Sequence, residues 1–321
     1  MVAIETSTFE LTPAGAFSWE QACEFVAHFP PLRRNWTGTG DPLRIAFLLD
    51  GTFEPVAVAL RWDGARLRGE VAGTTDIGAA SRQVARIFAL DYDGTGFPEL
   101  GRRDPAIARI IDAFPGLRPV SFTSPYECAA WAILSQRISM RQASAIQDRL
   151  VAEYGTRFEV GGGEAWAFPT PQRLERLTEF AGLAALKVER LRGVAHAALD
   201  GLLDADKLRA LGPVEGPTSL RAIPGIGPFW SSGIYLRACG VADEFPEEPL
   251  SVAALGILHG LGERPDAETV ARITDAYRPY RMWAAVLLRV AANRGAIPGL
   301  SGREGEVRRA AMKPNGRPAT R

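Results

Sequence analysis

The sequence has few residues of the types that bind metals or form disulfides, and it has no excess of either charge. Its 321 residues include three cysteines and three histidines, all scattered along the chain. This distribution predicts neither a metal site nor a disulfide framework. Lysine plus arginine and aspartate plus glutamate each number 37, which excludes a strongly basic surface over the whole protein. Any contact with an anionic partner must therefore be local.

Long apolar runs and targeting segments are also missing. No apolar stretch has the length of a membrane-spanning helix, and the first residues lack the pattern of a signal peptide. We therefore expect a cytoplasmic protein without a membrane association. Hydrophobic residues make up 46% of the chain and charged residues 23%, which is typical of a globular protein. The length allows one large domain or two to three ordinary ones.

The patterns that are present predict an α+β protein, with an N-terminal α/β domain followed by a mostly α-helical region. Residues 1–117 contain apolar, β-favouring runs, a hairpin signal at Asp63-Gly64 and amphipathic helices. Residues 118–300 have mainly helical spacing, with a loop expected at 161–163. The basic tail, 301–321, has few apolar residues and is expected to be disordered.

The most informative stretch lies between two helical runs and contains a pair of glycines, Gly225 and Gly227, next to Pro224 and Pro228. Proline interrupts a helix and glycine permits unusual backbone angles, so the stretch predicts a tight hairpin between two helices. Amides that glycines leave uncovered, together with the positive end of the second helix, form an anion site suited to a DNA backbone phosphate. The alternative is an ordinary helical corner with a glycine turn.

Several stretches in order resemble the helix-hairpin-helix DNA glycosylase superfamily, and within it the bacterial 3-methyladenine DNA glycosylase II branch. These stretches are 133–136 followed by Ser139, 168–174, Lys187 within LKVERL, 223–228, 236–238, 243–246 and 277–281. The resemblance implies a lesion cleft between two helical domains and double-stranded DNA with damaged bases as the partner. It also implies a monomer that extrudes an alkylated base and hydrolyses its N-glycosidic bond.

The resemblance also assigns site residues, and one of them departs from the family. The catalytic aspartate of the family falls on Pro249, which carries no charge. Pro249 suits the first turn of a helix, so Glu248 would lie at the helix boundary and could supply the carboxylate. Glu247 is a weaker candidate for that role. Asp243 matches a family position and is expected to close a loop or cap a helix.

Further positions carry over to the DNA contacts and the lesion pocket. The amides of Gly225, Ile226 and Gly227 would bind phosphate, together with Gln136 and with Arg137 at the position that fills the gap left by the extruded base. The lesion pocket would contain the residues Phe229, Trp230 and Arg289.

Two absences narrow the expected chemistry. Members of the glycosylase superfamily that also cut the DNA strand have a lysine at the position of Phe229, so no lyase activity is expected. The four-cysteine cluster of a related branch is missing, so no iron–sulfur cluster and no other cofactor is expected, although main-chain oxygens of the hairpin could hold a monovalent cation. Two hypotheses remain open: a monofunctional glycosylase that uses Glu248, and a catalytically silent relative that binds damaged DNA.

Overall fold

The computed structural model describes residues 7–35, 38 and 42–302. The expected disordered tail, 301–321, lies outside this part except for its first two residues. By their contacts the residues group into two compact units. The first contains Met1–Gly94 and Val120–Val241, and the second contains Thr95–Pro119 and the chain from Ala242 onward. The predicted domain boundary after residue 117 lies close to Val120, where the chain re-enters the first unit. The predicted helical region 118–300 contains residues of both units.

The strands all belong to the first unit. They are β1 (Ser7–Leu11), β2 (Leu43–Leu48), β3 (Pro55–Trp62), β4 (Leu67–Ala72), β5 (Thr156–Val160) and β6 (Gly163–Ala167). The first four form an antiparallel sheet in the order β1-β4-β3-β2, and β5 pairs with β6. The predicted turn at Asp63-Gly64 joins β3 to β4, with Asp63 Oδ1 accepting the amides of Ala65 and Arg66 at 2.9 and 2.7 Å.

Helices make up most of the remaining chain. Those of the first unit are α1 (Trp19–His28), α2 (Ile77–Ile87), α5 (Pro125–Leu134), α6 (Met140–Tyr154), α7 (Pro171–Leu174), α8 (Ala185–Leu199), α9 (Ala205–Leu220) and α10 (Pro228–Ala238). Those of the second unit are α3 (Leu100–Arg103), α4 (Pro105–Ala113), α11 (Pro249–Leu258), α12 (Ala267–Thr274) and α13 (Arg281–Asn293). Three short 3-10 turns complete the described elements, and none of the described helices is long and apolar enough to cross a membrane. The predicted α+β class is confirmed.

The loop expected at 161–163 is instead the turn of the β5–β6 hairpin. Arg44 in β2 is buried and donates through Nε to Val160 O (3.0 Å) and through Nη2 to Gly161 O (2.7 Å). These bonds satisfy carbonyls at the hairpin turn and attach it to the N-terminal sheet. The glycines thus lie at a chain turn as expected, but the two flanking strands were not predicted, because the arginine that anchors them lies more than a hundred residues earlier in the sequence.

Local capping rules account for the start of α5, the most deeply buried helix of the first unit. Ser124 Oγ accepts the Glu127 amide at 3.1 Å, and Pro125 occupies the first helical position. Ser124 is therefore the N-cap residue of α5. The Glu127 carboxylate accepts from Arg34 Nη2 at 3.3 Å in a buried ion pair.

The carboxyl end of α10 is bound by two arginines. The buried Arg86 of α2 donates to Ala238 O and to the Asp50 carboxylate, and to Thr123 O at 3.0 Å. Arg209 of α9 donates to Cys239 O at 3.2 Å. Because carbonyls at the end of a helix have no partners within it and carry negative partial charge, these cations fix the end of α10.

The buried Glu127 gives a first testable prediction, which concerns stability against pH. Burial raises the pKa of the Glu127 carboxyl above its ordinary value, and Arg34 opposes part of that rise. The folded chain therefore holds this proton more tightly than the unfolded chain. Its contribution to stability is complete below the ordinary carboxyl pKa and is lost as pH rises through the raised pKa.

We expect the substitution Glu127→Gln to remove this dependence. Urea unfolding of both proteins from pH 4 to pH 8 should show the wild type losing stability relative to the variant as pH rises, by at most about 1.4 kcal/mol per pH unit. The exposed Glu189→Gln substitution is the control and should leave the wild-type profile unchanged. A constant difference between wild type and Glu127→Gln at every pH would contradict the prediction.

Candidate nucleic-acid interface

The predicted hairpin joins α9 to α10 in the first unit. Helix α9 is interrupted at Gly212 and ends at Leu220, and α10 begins at Pro228. The side chains of Ile223 and Ile226 are buried and anchor the turn between the two helices.

The two glycines of the turn have different structural roles. Gly225 has φ +91°, and a Cβ added there would lie 2.8 Å from Arg190 Cδ and 2.9 Å from Ile133 Cδ1. Glycine is required at 225 both by its backbone angle and by this close packing. Gly227 has φ −93°, and an added Cβ would meet nothing within 4 Å. Position 227 therefore faces open space.

The amides of the turn are only partly used by the protein itself. The Ile226 amide donates to Ile223 O at 3.0 Å, so it closes the turn. Among the described residues, nothing accepts a hydrogen bond from the amides of Gly225 or Gly227. Helix α10 has no side-chain cap, and Pro228 at its first position has no amide to satisfy. No described residue therefore occupies the positive end of α10, which can bind a hydrogen-bond acceptor of negative charge.

The predicted residues Gln136 and Arg137 follow α5 and lie in the first unit with the turn. Gln136 Nε2 donates to Gly225 O at 2.8 Å, which holds the turn against this loop. Arg137 is exposed and has φ +58°, an uncommon angle for a residue with a side chain. Gln136 therefore contacts the turn, and Arg137 is exposed to solvent on a constrained backbone, while the DNA contacts of both residues stay a prediction.

Two cations of α8 support the same loop, and only one of them was singled out from the sequence. Lys187 Nζ donates to Leu134 O at 2.7 Å, at the carboxyl end of α5. Burial lowers the pKa of Lys187. Arg190 Nη1 donates to Gln136 Oε1 at 3.0 Å. Sequence reasoning missed Arg190, although it belongs to the same LKVERL stretch as Lys187.

The two aromatic candidates for the lesion pocket lie in the first turn of α10. The Phe229 side chain is 49% exposed, and Trp230 is half-buried. Their rings meet edge to face, with centroids 5.6 Å apart and planes at 80°. A large apolar ring that is half exposed beside an uncapped helix end is available for stacking.

The predicted carboxylate, Glu248, lies in the second unit at the start of α11. Glu248 is the N-cap residue and Pro249 occupies the first helical position, as the sequence indicated. Glu248 Oε2 accepts the Ser251 amide at 2.9 Å and lies 3.0 Å from Ser251 Oγ. The residue is only 9% exposed, so its carboxylate is not directed into bulk solvent.

Two further residues of the second unit were named from the sequence: Asp243 as a structural residue and Arg289 as a candidate for the lesion pocket. Asp243 accepts from Arg281 Nε at 2.8 Å and from Arg278 Nη1 at 2.9 Å, which confirms that it closes a loop. Arg289 is half-buried in α13, one helical turn after Ala285, whose carbonyl lies 2.9 Å from Ser251 Oγ. Sequence reasoning missed Ser251, which orients the Glu248 carboxylate.

Individual known proteins resemble this chain in sequence and in fold. No family model matches the chain. DNA-3-methyladenine glycosylase of Bacillus subtilis is 27% identical over 207 residues, which cover 63% of this chain and 68% of the relative. DNA-3-methyladenine glycosylase 2 of Escherichia coli is 30% identical over 188 residues, which cover 56% of this chain and 62% of the relative. The chain is related to DNA-3-methyladenine glycosylases.

The matched region is only part of some relatives, since it spans 42% of a Mycobacterium tuberculosis relative. Among solved structures, a 3-methyladenine DNA glycosylase from Archaeoglobus fulgidus has a TM-score of 0.71 at 22% identity, covering 88% of this chain and 97% of that one. This likeness shows a shared fold.

The different roles of the two glycines give a second prediction. We expect Gly225→Ala to destabilise the protein by about 1–3 kcal/mol, because the new Cβ needs a strained backbone angle and meets Arg190 and Ile133. Gly227→Ala is the matched control and should change stability by less than about 0.5 kcal/mol. Urea unfolding of both variants measures the difference. Equal stability of the two variants would mean that position 225 is not constrained as described.

Proposed function

We propose that the protein is a base-excision repair DNA glycosylase that removes alkylated bases by hydrolysing their N-glycosidic bond. The observation that carries the proposal is the uncapped start of α10 with the amides of Gly225 and Gly227 directed to no described acceptor. The names of the curated relatives support the same activity. On this basis α9, the turn and α10 act as a helix-hairpin-helix motif, and double-stranded DNA is the partner.

Binding begins at the DNA backbone. A phosphate carries negative charge, so it is favoured at the positive end of α10, where the two glycine amides donate to its oxygens. Such contacts place the protein on DNA without reading the base sequence. A neutral protein can bind in this way because the site uses local amides and a helix end, with no need for a basic surface.

The damaged nucleotide then leaves the stack. Arg137 fills the vacated space, since a planar guanidinium can lie against the faces of neighbouring bases. Its φ of +58° holds the loop in a shape that projects the residue from the surface. The rings of Phe229 and Trp230 stack on the extruded base. Arg289 of the second unit stays a predicted pocket residue that rests on the resemblance alone.

Glu248 supplies the negative charge for the chemical step. As the bond between C1′ and the base nitrogen breaks, positive charge develops on the sugar and the carboxylate stabilises it. Water adds its oxygen to C1′ and releases a proton, and the base departs with the electron pair of the broken bond. An alkylated purine already carries positive charge, so it needs little protonation. The Ser251 amide holds the carboxylate in one orientation, which limits the cost of aligning it.

The proposed reaction ends at the abasic site. Strand cleavage by a lyase needs an amine nucleophile, and Phe229 occupies the position at which related lyases have lysine. The ammonium group of Lys187 donates a hydrogen bond to Leu134 O and so has a structural role. The monomeric state and a monovalent cation at the hairpin remain predictions.

Replacement of the carboxylate gives the third prediction. With a duplex that contains one 3-methyladenine or hypoxanthine, Glu248→Gln should lower the single-turnover excision rate by roughly 10²–10³-fold, because a charge that stabilises the transition state is removed. The affinity for an abasic-analogue duplex should stay within about twofold. Glu247→Gln, at the exposed weaker candidate, should retain the wild-type rate, and the exposed Glu268→Gln in α12 is the control for loss of a carboxylate elsewhere in the second unit. Equal rates for wild type and Glu248→Gln would exclude Glu248 as the carboxylate.

The replacement of the family's aspartate by Pro249 favours a second candidate function, a silent protein that binds damaged DNA. The same assay separates the two functions. Tight binding of the abasic analogue, without any abasic sites formed from several alkylated duplexes, would establish the silent binder.

A further inference from the structure

We propose that the Arg190 guanidinium is a third part of the phosphate site, beside the amides of Gly225 and Gly227. The ligand is the negatively charged phosphodiester of the DNA backbone. The inference rests on the proposed function, and it gives a role to a residue of the LKVERL stretch for which the resemblance implied none.

The packing of Arg190 places its head at the turn. An added Cβ at Gly225 would lie 2.8 Å from Arg190 Cδ and 3.1 Å from its Nε. The aliphatic stem of Arg190 therefore packs against the α-carbon of Gly225, and the guanidinium begins at the edge of the turn. Its Nη1 donates to Gln136 Oε1 at 3.0 Å, and Gln136 Nε2 donates onward to Gly225 O at 2.8 Å. The arginine and the turn thus form one hydrogen-bonded unit.

The charge of Arg190 is not neutralised within the part of the chain that the structure describes. No carboxylate in that part forms an ion pair with it, and its hydrogen bond goes to a neutral amide oxygen. A guanidinium has five N–H donors, so most remain for another acceptor. Arg190 is half-buried, and a cation partly removed from water without an anionic partner is unfavourable. A phosphate at the turn would provide that partner.

The neighbouring cation in the preceding turn of α8 already has a hydrogen-bond acceptor within the protein. Lys187 lies one turn before Arg190 and donates its ammonium to Leu134 O. Arg190 is therefore the α8 cation that adds positive charge at the uncovered amides. An arginine fork matches the geometry of phosphate oxygens and can bind two of them at once.

The salt dependence of DNA binding tests the inference, and this is the fourth prediction. Fluorescence anisotropy with an abasic-analogue duplex at several salt concentrations gives the slope of log K against log salt. One lost phosphate contact should reduce the magnitude of that slope by about 0.9. We expect this reduction for Arg190→Gln, with several-fold weaker binding at about 0.1 M salt. Arg190→Lys should restore most of the slope because it keeps the charge.

The matched control is Arg192→Gln on the same helix, where the exposed side chain donates to Glu175 O at 3.1 Å. This control should keep the wild-type slope, and thermal unfolding of each variant reports any loss of fold. An unchanged slope for Arg190→Gln with weaker binding would overturn the inference, because Arg190 would then only hold Gln136. Wild-type binding and excision would leave the proposed function standing in that case. A wild type that binds no DNA would overturn both.

Discussion

The hydrogen bond from Gln136 Nε2 to Gly225 O determines how the turn between α9 and α10 is presented. It directs one carbonyl of the turn into the protein, while the buried Ile223 and Ile226 anchor the chain on either side. The close contact of Arg190 with Gly225 leaves no room for a side chain there. The exposed part of the turn is a short backbone segment at the start of α10. The amides of Gly225 and Gly227 in this segment have no acceptor among the described residues, and the proposed DNA contact depends on them.

The positive ends of two helices serve different purposes in the two units. Helix α10 has no side-chain cap, so its first turn can accept an anion from outside the protein. Helix α11 carries its own anion, because Glu248 accepts the Ser251 amide as the N-cap. The proposed chemical step uses this carboxylate, because a negative charge stabilises the positive charge that develops on the sugar. The partial positive charge at the start of a helix thus underlies both the proposed phosphate site and the proposed position of the Glu248 carboxylate.

Features set by local rules could be predicted from the sequence. Pro249 placed the start of α11 and put Glu248 at its cap, Ser124 placed the start of α5, and Asp63-Gly64 placed a hairpin. Each depends on residues within a few positions of one another, where proline, glycine and capping side chains restrict the backbone. The paired glycines at 225 and 227 also marked the turn, together with its likeness to a known motif.

Features set by distant contacts could not be predicted in this way. The β5–β6 hairpin depends on Arg44, and the place of Arg190 depends on its packing against Gly225. The Ile226 amide, expected to bind phosphate, donates to Ile223 O because the turn closes more tightly than its sequence reveals. The pairing of Glu248 with Ser251 follows from helix geometry, but a serine three residues after a glutamate is too common to be singled out.

The most direct measurement of the central claim is a crystal structure of the protein bound to a duplex with an abasic-site analogue. The account predicts one backbone phosphate with oxygens about 2.7–3.2 Å from the amide nitrogens of Gly225 and Gly227. A complex in which the DNA phosphates bind elsewhere, while the turn from Pro224 to Gly227 remains in solvent, would contradict it.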